Sequence, residues 1–136
     1  MKMVFNDPKS GHSFQKEIEK TKEGQLMGKK IGDKIPGSII GLDGYELQIT
    51  GGATNDGTPM RFDIPATRYV RALLTQGTGV RKKLPAGTRI KKRVAGNTLA
   101  AQTAQVNAKI IQHGTKALGD LGFTLKPKDA KTEEKK

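Results

Sequence analysis

Glycine spacing limits what this chain can fold into more than any other feature. Seventeen glycines punctuate its 136 residues, and the apolar runs between them are short. Glycine costs about 1 kcal/mol relative to alanine inside a helix, and it supplies the positive φ that tight turns need. A chain interrupted this often does not sustain long helices. It predicts short strands joined by turns, a mainly β fold.

Residues 1–6 and 13–18 read as two strands of a hairpin joined by the turn chemistry of Asp7-Pro8-Lys9-Ser10-Gly11. Residues 19–28 fit a connection or a short helical turn. Ile31, Ile35, Ile39 and Ile40 are separated by Gly32-Asp33, Pro36-Gly37 and Gly41, so residues 30–42 should bend repeatedly, as the corners of a small barrel do. Tyr45, Leu47 and Ile49 alternate with Glu46, Gln48 and Thr50, which predicts a strand after an Asp43-Gly44 turn. A glycine-rich loop over residues 51–58 and a returning strand over residues 60–64 should follow.

Two stretches admit both periods. Residues 66–75 place Val70, Leu73 and Leu74 together as a helix, or Val70, Ala72 and Leu74 as a strand. Residues 96–114 fit a helical stripe through Leu99, Thr103, Val106 and Ile110, or alternation through Val106, Ala108 and Ile110. Residues 88–94 are clearer. Extended, they project Arg89, Lys91 and Arg93 from one face at a repeat of about 6–7 Å, with Ile90, Lys92 and Val94 on the other. The end, KPKDAKTEEKK, has Ala130 as its one apolar residue, so residues 126–136 should be a disordered charged tail behind a single domain of residues 1–125.

The net charge of +12 becomes informative when divided along the chain. Residues 1–63 carry nine basic and nine acidic side chains, residues 64–119 carry eleven basic and no acidic ones, and residues 120–136 carry five lysines against four acids. Such a middle segment repels itself unless a partner supplies the counter-charge, and nucleic acid is the candidate. The candidate RNA-binding residues are Arg61, Arg68, Arg71, Arg81, Lys82, Lys83, Arg89, Lys91, Lys92 and Arg93. Arginine's planar fork suits bidentate phosphate contact, and lysine adds a movable point charge. A solvated charged face explains a run of three or four lysines better than a run recurring over three adjacent elements. The six aromatics, Phe5, Phe14, Tyr45, Phe62, Tyr69 and Phe123, are scattered and read as core, so phosphate contact should dominate over base stacking. Tyr69, beside Arg68 and Arg71, is the exception.

Other chemistries find little support. The chain has no cysteine, which excludes disulfides, thiolate zinc sites and iron–sulfur clusters. His12 and His113 are isolated, and the acids lie in the neutral half and the tail, so no catalytic residues, metal site, cofactor or small-molecule substrate are expected. The loop from Gly51 to Gly57 lacks the Gly-Lys-Ser/Thr ending of a phosphate-binding loop and reads as a hairpin loop with positive φ at its glycines. No apolar run reaches about 18 residues, so the expectation is a soluble, intracellular protein without a membrane partner.

Ile49-Thr50-Gly51-Gly52, Gly57 and Pro59-Met60 are followed by Leu73-Leu74-Thr75-Gln76-Gly77, Arg81, Gly87, Arg89, Lys91-Lys92, Val94 and Gly96. This ordered series resembles the small-subunit ribosomal protein family known as six-e, shared by archaeal and eukaryotic ribosomes. Weaker similarity reaches back to Met1-Lys2, Pro8 and Gly11 and forward to Gly114. The resemblance implies a cytoplasmic, ribosome-bound protein whose partners are small-subunit ribosomal RNA and other small-subunit proteins. It also implies a small antiparallel β-barrel, and it tips residues 69–75 and 103–112 towards strands. Eukaryotic members continue into a long basic helix with phosphorylated serines. Here no serine follows Ser38, so that control is not implied, and the short form suggests the archaeal type. The competing reading is a free nucleic-acid-binding or translation-associated factor.

Overall fold

A computed structural model describes residues 1–114 and Leu118. Within them the chain forms β1 (Lys2–Asp7), β2 (His12–Glu17), the single helical turn α1 (Lys20–Glu23), β3 (Lys34–Pro36) and a 3₁₀ turn (Gly37–Ile40). It continues through β4 (Glu46–Thr54), β5 (Tyr69–Leu74), β6 (Ile90–Ala95) and β7 (Thr103–Gln112). The protein is mainly β. The predicted hairpin of β1 and β2 forms in antiparallel register, with Phe5 opposite Phe14.

Period-2 alternation decides the core. Met3 and Phe5 of β1, Leu47 and Ile49 of β4, and Val106, Ala108 and Ile110 of β7 all point to one buried layer. Ile35, Ile39, Ile40 and Leu42 close over it from the glycine-bent corner, joined by Leu26 and Leu99. Each fully buried side chain of this kind contributes about 1.5–3 kcal/mol. The corner itself depends on Gly37, whose N–H donates to the Tyr45 carbonyl at 2.8 Å. A Cβ there would sit 2.4 Å from the Leu42 carbonyl oxygen.

Both ambiguous stretches are strands. β7 lies between β1 and β4 in the sheet order β2-β1-β7-β4-β3, so its backbone groups are paired on both sides, and this overrides the helical propensity of its alanines. The expected all-antiparallel barrel does not form among the described strands. β1 and β7 run parallel, β2 and β3 do not pair with each other, and β5 and β6 make a separate two-stranded ribbon. A parallel pair arises because β1 and β7 are joined by nearly the whole chain, so no tight turn dictates their relative direction.

Two local expectations are corrected around the double glycine. β4 runs on to Thr54, so Gly51 and Gly52 are strand residues, and of the glycines from 51 to 57 Gly57 alone has positive φ, at 72°. Gly52 is required for closeness: its Cβ would lie 2.5 Å from the Gln105 carbonyl oxygen and 3.0 Å from Met60 Sδ. Here the free edge of β4 changes partner. Its first half pairs with β3, and its second half receives Thr58 and Met60, with Met60 N–H donating to the Gly52 carbonyl at 3.0 Å. The returning strand expected over residues 60–64 shrinks to bridges at Pro59 and Met60, after which the chain turns away. Met60 also bridges to Ala95, which joins the ribbon to the sheet. The predicted tail, residues 126–136, and Phe123 lie outside the described residues.

Candidate nucleic-acid interface

β5 and β6 pair antiparallel with Arg71 opposite Arg93, Leu73 opposite Lys91, Ala72 opposite Lys92 and Val70 opposite Val94. Directly opposed residues share a face. The inner face carries Val94 and Leu74, both buried, with Val70, Ala72 and Ile90 half-buried. Arg71, Leu73, Lys91 and Arg93 are exposed on the outer face, and 59% of Leu73 is accessible. Lys92 is exposed as well, but its register places it on the side opposite Lys91 and Arg93.

The other predicted cations surround this ribbon. Arg89 lies in the loop immediately before β6, and Arg81, Lys82 and Lys83 occupy the loop between the two strands. Lys82 and Lys83 line a cleft there with Thr75, Gln76 and Thr88. Gly79, at φ 96°, folds that loop back on the ribbon, where a Cβ would meet Val94 Cγ1 at 3.1 Å. Arg68 precedes β5, and its carbonyl accepts the Gly96 N–H at 3.3 Å.

Two of the ten are engaged within the protein. Arg93 Nη2 donates to Asp56 Oδ2 at 2.7 Å, and its guanidinium sits 3.8 Å from the centroid of the Tyr69 ring. Tyr69 donates its hydroxyl to the same carboxylate oxygen at 3.0 Å. One face of Tyr69 is therefore already covered by Arg93. Arg61 grips Asp63 with both fork positions, Nε to Oδ1 at 2.9 Å and Nη2 to Oδ2 at 2.8 Å, while Nη1 donates to the Thr78 carbonyl at 2.7 Å. The other eight are exposed and, among the described residues, have no carboxylate within ion-pair distance.

Charge counted along the chain includes both acids but not the pairing of Asp56 with Arg93. The segment after Asp63 is acid-free in sequence, but the turn after β4 carries Asp56 across to Arg93. No local signal announces that contact, whereas the Arg61-x-Asp63 spacing was visible. The reading of Phe62 as a core aromatic is also corrected, because it is 74% exposed.

The Arg61 hydrogen bonds hold the Asp63 carboxyl below its ordinary value, against a smaller upward push from burial. A carboxylate whose pKa falls on folding adds stability above its unfolded value of about 4, and that stability is lost as pH drops below it through the folded value. Asp63→Asn should lower stability by no more than about 1 kcal/mol near neutrality, since the pair is partly solvent-screened. It should also flatten the loss of stability below pH 4 while leaving the slope of stability against pH between 5 and 8 unchanged, as urea denaturation at a series of pH values would register.

At another point His113 Nε2 approaches the buried Asp7 at 3.4 Å and Tyr45 packs edge-on against the imidazole. Burial pushes the Asp7 carboxyl up, but the Lys9 N–H, Ser10 and the nearby His113 together hold it below its ordinary value. Among the described residues no three His, Cys, Asp or Glu side chains gather to hold a metal ion. Among the described residues no helix is long and apolar enough to cross a membrane.

Residues 1–122 match the family described as Ribosomal protein S6e. The chain is similar to the small ribosomal subunit protein eS6 of Methanocaldococcus jannaschii, 45% identical over 120 residues, 88% of each chain. It is 41% identical to the eS6 protein of Archaeoglobus fulgidus over 121 residues, covering 88% of this chain and 93% of that one. Identity to the Methanosphaerula palustris eS6 protein is 36% over 120 residues, 88% of this chain and 90% of the relative.

Proposed function

We infer the function from one premise: the chain belongs to the ribosomal protein S6e family. It is a structural, non-catalytic constituent of the small ribosomal subunit, located in the cytoplasm on the ribosome, with small-subunit ribosomal RNA and other proteins of that subunit as its partners.

The ribbon is the surface we assign to the RNA, and the observation that supports it is the exposed outer face on which Arg71 and Lys91 stand with no carboxylate within ion-pair distance among the described residues. Arg93 has its counter-charge in Asp56, and a phosphate over this face would supply the one that Arg71 and Lys91 lack. In this reading Arg71, Arg89 and Lys91 line the phosphate backbone. Arg81, Lys82 and Lys83 reach it from the loop, and Arg68 and Lys92 flank it. Arg61 and Arg93 position the loops that bear the rest. We read residues 1–125 as one RNA-binding domain with residues 126–136 as a charged tail. The bridges from β4 through Met60 to β6 bring that domain towards a barrel.

Sedimentation tests the assignment against a free translation factor. Tagged protein added to archaeal small subunits depleted of their own copy should remain with them through a moderate salt wash. Release into the supernatant, with the subunit otherwise intact, would overturn it.

A further inference from the structure

We propose that Phe62 is a stacking platform for one unpaired base of the bound RNA, a base contact added to the phosphate contacts of the ribbon. The proposal rests on the RNA-binding reading above and deepens it.

Phe62 leaves 74% of its surface in water although the core lies only two residues away, at Met60. The backbone around it is fixed. Arg61 N–H donates to the Ala95 carbonyl at 3.1 Å, Asn97 Nδ2 donates to the Phe62 carbonyl at 3.2 Å, and Asn97 N–H donates to the Ile64 carbonyl at 2.9 Å. The two residues flanking Phe62 are also clamped to each other by the Arg61–Asp63 fork. The ring is thus held outward on a braced turn, so binding a flat partner orders little further backbone.

Its size and setting select the partner. A single exposed ring offers about 150 Å² of apolar surface, well below the several hundred Å² of a protein-docking patch and close to the face of one base. The segment from Phe62 to Arg68 lies along residues 96–98, through the bonds of Asn97 to Ile64 and of Gly96 to Arg68, and so continues from the end of β6. RNA held on the ribbon would pass beside it.

Binding to small-subunit ribosomal RNA and to a fully paired RNA duplex, each across a salt series, tests this with wild type, Phe62→Ser and Phe62→Trp. Phe62→Ser should bind the ribosomal RNA about ten- to a hundredfold more weakly, with duplex affinity and both salt slopes unchanged. Phe62→Trp should bind as wild type, with its fluorescence quenched by the ribosomal RNA and not by the duplex. Equal loss on both RNAs, or no loss together with unquenched tryptophan, would overturn the stacking role while leaving the ribbon reading intact. If wild type fails to prefer ribosomal RNA at all, both fall.

Discussion

Gly96→Ala should destabilise the protein by about 4–6 kcal/mol, the largest effect of a methyl added at any described glycine. A Cβ at this position would stand 1.9 Å from the Ala66 carbonyl oxygen, 2.4 Å from its carbon and 2.8 Å from its Cα, all of them backbone atoms that no rotamer change moves aside. Relief requires residues 64–68 to part from residues 96–98. That breaks the bonds from Gly96 N–H to Arg68, Asn97 N–H to Ile64 and Thr98 N–H to Ala66. Overpacking alone costs about 1–3 kcal/mol, and each lost backbone bond adds about 1 kcal/mol. Domains of this size have roughly 5–15 kcal/mol in total, so much of the population should unfold in mild urea. Gly24→Ala is the control, since Gly24 has helical φ at −57° and nothing within 4 Å of a Cβ; it should be neutral or stabilising by up to about 1 kcal/mol. Urea midpoints followed by circular dichroism compare the two. A Gly96→Ala midpoint equal to that of Gly24→Ala would refute the contact.

Changing Arg71, Arg89 and Lys91 together to serine should weaken binding to small-subunit ribosomal RNA on the order of a hundred- to thousandfold at 150 mM salt. Each lost phosphate contact removes about 0.7–0.9 from the slope of log affinity against log salt, so the slope should become shallower by about 2–3. All three side chains are exposed and make no ion pair among the described residues, so thermal stability should hold. Arg93 is left in place because it also braces Tyr69 and Asp56. Lys9, Lys20 and Lys29, exposed cations from the charge-balanced half, serve as the matched control and should leave the slope unchanged. A triple variant that binds ribosomal RNA with wild-type affinity and slope would make the ribbon an ordinary solvated face.

What could be read from the residues alone follows the range of the interactions. Strands β1, β2 and β4 were legible because alternation such as Tyr45, Leu47, Ile49 and the turn at Asp43-Gly44 are local. The double glycine was misread because Gly52 answers to Gln105, half the chain away, and nothing nearby marks that approach. The parallel pairing of β1 with β7 was hidden for the same reason. At the candidate interface the run of cations was plain, but which of them remained unpaired depended on where Asp56 would be carried. Phe62 followed the usual rule for aromatic burial in its composition and broke it in place.

The position of β7 has a further consequence in time. It is the last strand of the sheet to leave the ribosome during synthesis, yet it belongs between the first hairpin and β4. Until residues 103–112 emerge, β1 and β4 each present an unpaired edge, and the halves of the buried layer have no common strand to pack on. The nascent chain therefore holds two half-sheets waiting for one insertion, a high-contact-order step that is slow and exposed to aggregation. The β5–β6 ribbon closes through a local loop and needs no such wait. It is the first part of the proposed RNA surface able to form, ahead of the sheet that carries it.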